Sequence, residues 1–211
     1  AAVATEYGAG PDLLYLPETD FDMEKFLSDV EHVYRENGSC MVAVSEGIHY
    51  ADGTFVSEAK TEETDGFGHA QLGGLASLLA DACKKRTGAK VRGIELSLLQ
   101  RCGAHLASET DIEESVMAGR AAVENAVSGI TDRMVGFERG VRGGKYACRT
   151  KLVHLADVAN AEKKVPREWI NAEGNGVEKA FIDYVLPLIQ GEPKLPKTDS
   201  LPRFAKLKKV L

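Results

Sequence analysis

The sequence predicts an α/β fold built on parallel strands, and two stretches carry that expectation. Residues 12–47 read strand, helix, strand in under 40 residues, which is a βαβ unit of right-handed sense. Within it, "CMVAVSEG" (40–47) is a near-continuous apolar run of strand length. A run of that kind suits a parallel strand covered on both faces.

Each element follows from its pattern. "AAVATEYGAG" at the start has helix formers and then two glycines, but no cap residue precedes it, so it reads as the end of a helix. A chain that opens this way is expected to begin inside a larger protein. "DLLYLPE" (12–18) is a short apolar run closed by proline, hence a buried strand. "FDMEKFLSDVEHVYRENG" (21–38) places Met23, Phe26, Leu27, Val30, Val33 and Tyr34 at helical spacing, with Asp22 as N-cap and Gly38 as stop. Residues 47–68 are polar and read as an excursion. Residues 69–88 form a helix with Leu72, Leu75, Leu78, Leu79 and Ala82 on one face. Gly73 and Gly74 there allow close packing, and Gly88 ends it. "KVRGIELSLLQ" (90–100) is expected to be a strand. Residues 109–129 form a helix with Ile112, Val116, Val123 and Val127 on one stripe and acids in the first turn, where the dipole favours them. Residues 132–155 read as two strands joined by a glycine-rich basic loop, 177–191 as a last helix, and the rest as a proline-rich tail.

Composition narrows the class of protein. The 211 residues carry 44% hydrophobic and 27% charged side chains, ordinary values for a globular chain. The net charge is −6 and the pI about 5.5, so a global basic field for nucleic acid is absent. The basic stretch from Leu201 onward is read as a solvated tail. No apolar run approaches the ~18 residues needed to span a bilayer, and the start lacks the pattern of a signal peptide. Cys40, Cys83, Cys102 and Cys148 form no C-x-x-C pair, so reduced thiols in a cytoplasmic protein are expected.

The chemistry gathers around "LLQRCGAHL" (98–106). A catalytic Cys102 would need a base within reach and an orienting partner, and none is identifiable. A metal would need three or four ligands, and only Cys102 and His105 lie here. Cys102 is therefore expected to be a small core residue. Arginine suits phosphate because its planar fork gives two parallel hydrogen bonds. Arg92 and Arg101 flank the expected strand. Nine extended steps span roughly 30 Å, so one small anion cannot touch both along a straight strand. Either the strand bends, or the two serve different copies of a site. At the carboxyl ends of the first two strands stand Glu18, read as a solvated loop carboxylate, and Glu46, open between solvation and ligand binding. Ligands of α/β sheets sit at such ends. Arg139, Arg142 and Lys145 are read as a solvated hairpin tip. No P-loop, G-x-G-x-x-G, H-E-x-x-H or G-x-S-x-G occurs.

Five blocks in order, "PDLLYLPE…FDMEKFL", "MVAVSEGI", "VRGIELSLLQRCGAHLASETDIEES", "MVGFER" and "VANAEKKVPREWINAEGN…FIDYVLPLIQGE", resemble the phosphofructokinase family. The likeness is to its longer, non-allosteric branch, which includes many pyrophosphate-dependent enzymes, and it runs from about residue 3 to 192. It implies phosphofructokinase-like three-layer parallel-sheet domains, of which this chain is the C-terminal portion. It also implies transfer of a phosphoryl group from pyrophosphate or ATP to the 1-hydroxyl of fructose 6-phosphate, with Mg²⁺. Carried over, Glu46 holds a sugar hydroxyl, and Arg101 takes the 6-phosphate with Leu98 and Gln100 on the same turn. Arg92 reaches across a subunit interface in a homo-oligomer. Leu98 stands where the family often has histidine or tyrosine, and "RENGSC" lacks the lysines regulated relatives use for an effector.

The family's donor-phosphate glycine loops, its T-I-D-x-D aspartates and its M-G-R motif are not found in this sequence. The resemblance thus implies that base, metal ligands and donor site lie outside it, and that this chain alone is inactive. The expected domains are 1–99 with 177–211 for fructose 6-phosphate, and 100–176 as part of the donor domain. The latter would expose a large apolar surface unless further polypeptide covers it. The alternative is a non-catalytic sugar-phosphate-binding or regulatory subunit.

Overall fold

The structure is a computed structural model that describes residues 2–57, 74–206 and 208. Two compact units divide the chain: Ala1–Leu96 with Lys164–Tyr184, and Ser97–Lys163 with Val185–Leu211.

The first unit holds the expected βαβ. Strands β1 (Leu13–Tyr15) and β2 (Val42–Val44) pair in parallel, with Leu13 opposite Val42 and Tyr15 opposite Val44. Between them runs α2 (Met23–Asn37), preceded by the short α1 (Ala2–Glu6) at the chain start. Asp22 caps α2 by accepting from the Lys25 amide at 2.7 Å, and Gly38, at φ 73°, closes it. Phe26, Leu27 and Val30 of α2 are buried, and Phe26 meets Tyr15 and Phe21 at ring-centroid distances of 5.3 and 5.4 Å. Helix α3 (Leu75–Thr87) adds Leu75, Leu79 and Cys83 to that core and ends at Gly88 as expected. Gly74 has room for a β carbon, with nothing within 4 Å of where it would lie. It has φ 77° and lies just outside the helix, so its glycine serves a left-handed turn. Leu72 and Gly73 lie outside the described residues.

The stretch 90–96 forms no strand, contrary to the expectation. An extended segment becomes a strand only when its amides and carbonyls find a ladder partner, and among the described residues none is offered. Residues 97–100 are helical instead, the start of α4 (Ser97–Cys102).

The second unit contains α4, α5 (Glu109–Val127), and the antiparallel hairpin of β3 (Arg133–Arg142) and β4 (Lys145–His154). The two-residue turn Gly143–Gly144 has positive φ at both positions, 59° and 75°, as a hairpin matched to strand twist requires. Ser108 caps α5 by accepting from the Asp111 amide at 3.1 Å. The amides of Glu109 and Thr110 donate to the carbonyls of Gly191 and Gln190. A short helix, α6 (Leu155–Val158), follows the hairpin. The last helix is shorter than expected, α7 (Lys179–Val185) with a 3₁₀ turn Leu186–Ile189, and the tail makes a small ladder of β5 (Lys197–Thr198) and β6 (Leu201–Pro202).

The units are drawn differently from the expected domains. Residues 164–184 pack with the first unit because side chains and carbonyls there satisfy it. Leu14 N–H donates to Asn175 O at 2.9 Å, Val165 N–H to Glu18 Oε1 at 2.9 Å, and Asn175 Nδ2 to Asp29 Oδ2 at 2.9 Å. Residues beyond 184 belong with the second unit because they cap α5. Glu18, read as solvated, is thus a structural clasp, and its Oε2 is buried.

Candidate functional site

Two groups of residues carry the expected chemistry, one in each unit. In the first unit, β1 and β2 run parallel, so their carboxyl ends lie on one edge. Ser45 N–H donates to Tyr15 O at 3.0 Å and Ile48 N–H to Ser45 O at 3.4 Å, which fixes the turn that follows β2. Glu46 is at the tip of that turn and exposed, its carboxylate bonded to no described residue. Gly47 follows it, and a β carbon there would lie 3.7 Å from Pro17 Cβ, so the two strand ends approach closely.

Arg92 is exposed in the extended segment that leads out of the first unit. The neighbouring Gly93 was not visible as special in the sequence. A β carbon on it would lie 2.5 Å from the Ala76 carbonyl oxygen, closer than such contacts allow, so glycine lets this segment lie against the start of α3. Arg92 is thereby held beside that helix.

Leu98, Gln100 and Arg101 are brought together on α4 in the second unit, all exposed. At about 100° per residue, Leu98 and Arg101 share a side of the helix while Gln100 lies about 200° round from Leu98. Gln100 therefore does not line the same side as the other two. The straight-strand span between Arg92 and Arg101 also lapses, because a helix rises about 1.5 Å per residue rather than 3.3. Ser97, ahead of Leu98, has φ 37°, in the left-handed region that a non-glycine residue enters at a cost. Nothing in its sequence neighbourhood announced that.

Neither Arg92 nor Arg101 makes an ion pair or hydrogen bond with a described residue of its own unit. Other arginines are committed. Arg86 bridges Glu24 and Glu31 at 3.2 and 3.3 Å, Arg149 pairs with Glu138 at 2.8 Å, and Arg167 donates to the carbonyls of Ile170 and Asn171. Arg92 and Arg101 are left to solvent, as are Arg120, Arg133, Arg142 and Arg203, and each such guanidinium is able to take an anion.

Cys102 is exposed, not a core residue, because α4 offers that side of its last turn to solvent. His105 is exposed as well. All four cysteines are free thiols. Among the described residues no three of His, Cys, Asp and Glu gather where they could hold a metal.

Against this geometry, a family model described as phosphofructokinase matches residues 1–126. The chain belongs to the phosphofructokinase family. Among curated relatives, this phosphofructokinase chain is 41% identical over 202 residues to the pyrophosphate–fructose 6-phosphate 1-phosphotransferase of Halomonas elongata, a match covering 96% of this chain and 48% of the relative. It is 41% identical over 195 residues to the protein of the same name from Methylococcus capsulatus, covering 92% and 46%. A crystal structure of pyrophosphate-dependent phosphofructokinase from Nitrosospira multiformis superposes with a TM-score of 0.77 at 33% identity, over 99% of this chain and 49% of that one. The phosphofructokinase chain thus spans about half the length of the curated relatives it matches. No helix among its described residues is long and apolar enough to cross a membrane.

Proposed function

We propose that this chain is the sugar-phosphate-binding, C-terminal part of a 6-phosphofructokinase that uses pyrophosphate in preference to ATP. The observation that carries the reading is Arg101, an exposed guanidinium on α4 with no ion-pair partner in its unit, in a family whose relatives are named for fructose 6-phosphate. The preference for pyrophosphate rests on the names of those relatives.

Each residue has a role by its chemistry. Arg101 takes the 6-phosphate through two parallel N–H donors, a geometry a lysine cannot reproduce. Leu98, on the same side of α4, offers an apolar wall without a phosphate contact. Glu46 accepts a hydrogen bond from a sugar hydroxyl at the open edge of the parallel pair. Gln100, about 100° round the helix from Arg101, contributes a polar contact to the rim. Arg92, held beside α3 by Gly93, serves the site of a neighbouring subunit in a homo-oligomer. Mg²⁺, the catalytic base and the donor site are assigned, as the family resemblance implies, to the half of the relatives that this chain does not match. The setting is cytoplasmic glycolysis.

The test pairs this chain with the unmatched half of the Halomonas elongata relative and follows fructose 1,6-bisphosphate formation with pyrophosphate or ATP. Activity with pyrophosphate is expected. Arg101→Ala removes two charge-assisted hydrogen bonds, so affinity for fructose 6-phosphate should fall roughly 10- to 100-fold. Unchanged activity of that variant at low substrate would sink the assigned role. Binding of fructose 6-phosphate with no turnover under any pairing would favour the non-catalytic regulatory subunit.

A further inference from the structure

Among the described residues, five that are not glycine hold a positive φ: Ser97, Asp132, Asn160, Asp199 and Ser200. Four of them have an ordinary reason. Asp and Asn, as at 132 and 160, are residue types that tolerate the left-handed region. Asp199 and Ser200 form the two-residue turn between β5 and β6, where positive φ at both positions matches the strand twist. Ser97, at φ 37°, opens the helix α4 and has neither reason. Helix α3 is also entered through a left-handed residue, but there it is Gly74, which takes φ 77° without the penalty of a β carbon. Strain kept where glycine would remove it gathers at ligand-binding positions.

The side chain of Ser97 does not serve the protein's own backbone. A serine at a helix start ordinarily accepts from an amide two or three residues on. Ser108 does so for α5, accepting from the Asp111 amide at 3.1 Å while donating to the Leu188 carbonyl at 2.7 Å. Ser97 is exposed, and its hydroxyl makes no hydrogen bond with a described residue. It stands four residues, about one helical turn, before Arg101, the spacing at which side chains of a helix meet. Leu98, next to it, offers no polar group. We propose that Ser97 is a further sugar-phosphate-binding residue, whose hydroxyl donates to the phosphate that Arg101 takes. The choice of fructose 6-phosphate as ligand rests on the functional reading above. A hydroxyl donating to an anionic oxygen makes a short, charge-assisted bond, and the left-handed backbone is the cost of presenting it.

The test sets affinity against stability, on this chain paired with the unmatched half of the Halomonas elongata relative. Ser97→Gly removes the strain and the hydroxyl together. Its thermal midpoint should rise, while KM for fructose 6-phosphate rises roughly 10-fold and kcat stays within about twofold. Ser97→Ala keeps the β carbon, so KM should rise equally with no gain in midpoint. In an Arg101→Ala background, Ser97→Ala should cost less than about 3-fold, because the phosphate is then no longer held against the hydroxyl. A glycine variant whose KM is unchanged or lower would reduce Ser97 to a backbone device and overturn the proposal. So would the full loss persisting in the Arg101→Ala background. If the pairing gives no turnover, calorimetry of fructose 6-phosphate binding reads the same series. A parent that neither turns over nor binds fructose 6-phosphate would sink the functional reading itself. A parent that binds, with variants that bind alike, overturns this proposal alone.

Discussion

Asp29 is a residue that the sequence presents as one more helix carboxylate. In the fold it accepts from Tyr15 Oη at 2.9 Å, Lys25 Nζ at 2.6 Å and Asn175 Nδ2 at 2.9 Å. Partial burial alone would raise its pKa, but the hydrogen bonds from Lys25, Asn175 and Tyr15 outweigh that and hold it below the usual carboxylate value. The same carboxylate, with burial, raises the Tyr15 hydroxyl. A lowered folded pKa means stability that is full above the unfolded value, about 3.9, and is lost as pH falls through the folded one. Asp29→Ala should therefore cost about 1–3 kcal/mol at pH 7, measured by urea unfolding, and the gap to wild type should close as pH drops below about 4. A gap that persists unchanged at pH 2 would refute the assignment. The thiols differ in the same residue-level way. Burial, then the charge of Asp12, pushes Cys40 up to about 11, whereas Cys102 is exposed on α4. Alkylation with iodoacetamide at pH 8, followed by mass spectrometry, should label Cys102 well before Cys40.

At the level of elements, what could be read from the sequence was whatever its own period or cap encodes. The βαβ unit, the Asp22 cap, the Gly38 and Gly88 stops and the two-glycine hairpin all stood in local pattern, and each lies where it was placed. The stretch 90–96 did not follow, because a strand is a property of a pair and its apolar alternation names no partner. The return of 164–184 to the first unit was equally silent. It is held by Glu18, Asp29 and Asn175 through single hydrogen bonds, which leave no periodic trace. The candidate site shows the same division. Glu46 and Arg101 stand out by position and chemistry, while Gly93 and Ser97 matter for backbone reasons that no side chain announces. Gly93→Ala tests the first of these. Its β carbon would fall against the Ala76 carbonyl, so the segment must move from α3, at a cost of about 1–3 kcal/mol. Thermal unfolding should register that loss. If Arg92 serves a neighbouring site, fructose 6-phosphate affinity in the assembled enzyme should fall with it, although residue 93 touches no ligand.

On the scale of the molecule, the two units are unequal. Every described apolar side chain that is fully buried lies in the first, from Val3 through Phe26, Ile48 and Leu79 to Ile182. In the second, Ile112, Val116, Phe137, Val141 and Leu152 are all more than a third exposed, and none of the helix α5 is buried. Within the expected 100–176, apolar exposure is found from Ile112 to Leu152, whereas Ile170 is buried in the first unit. The second unit thus holds no fully buried apolar side chain among its described residues. The β3–β4 ladder and the turns of α5 are formed within the unit, so its secondary structure can persist while opening easily. Native-state hydrogen exchange distinguishes the units directly. Amides of β1, β2 and α2 should exchange near the global unfolding limit. Those of α5, β3 and β4 should exchange through local opening, with protection lower by roughly 100-fold. Equal protection would mean that the second unit draws stability from a contact not visible in its own packing. The expected result would mean that the second unit opens on its own while the first stays folded.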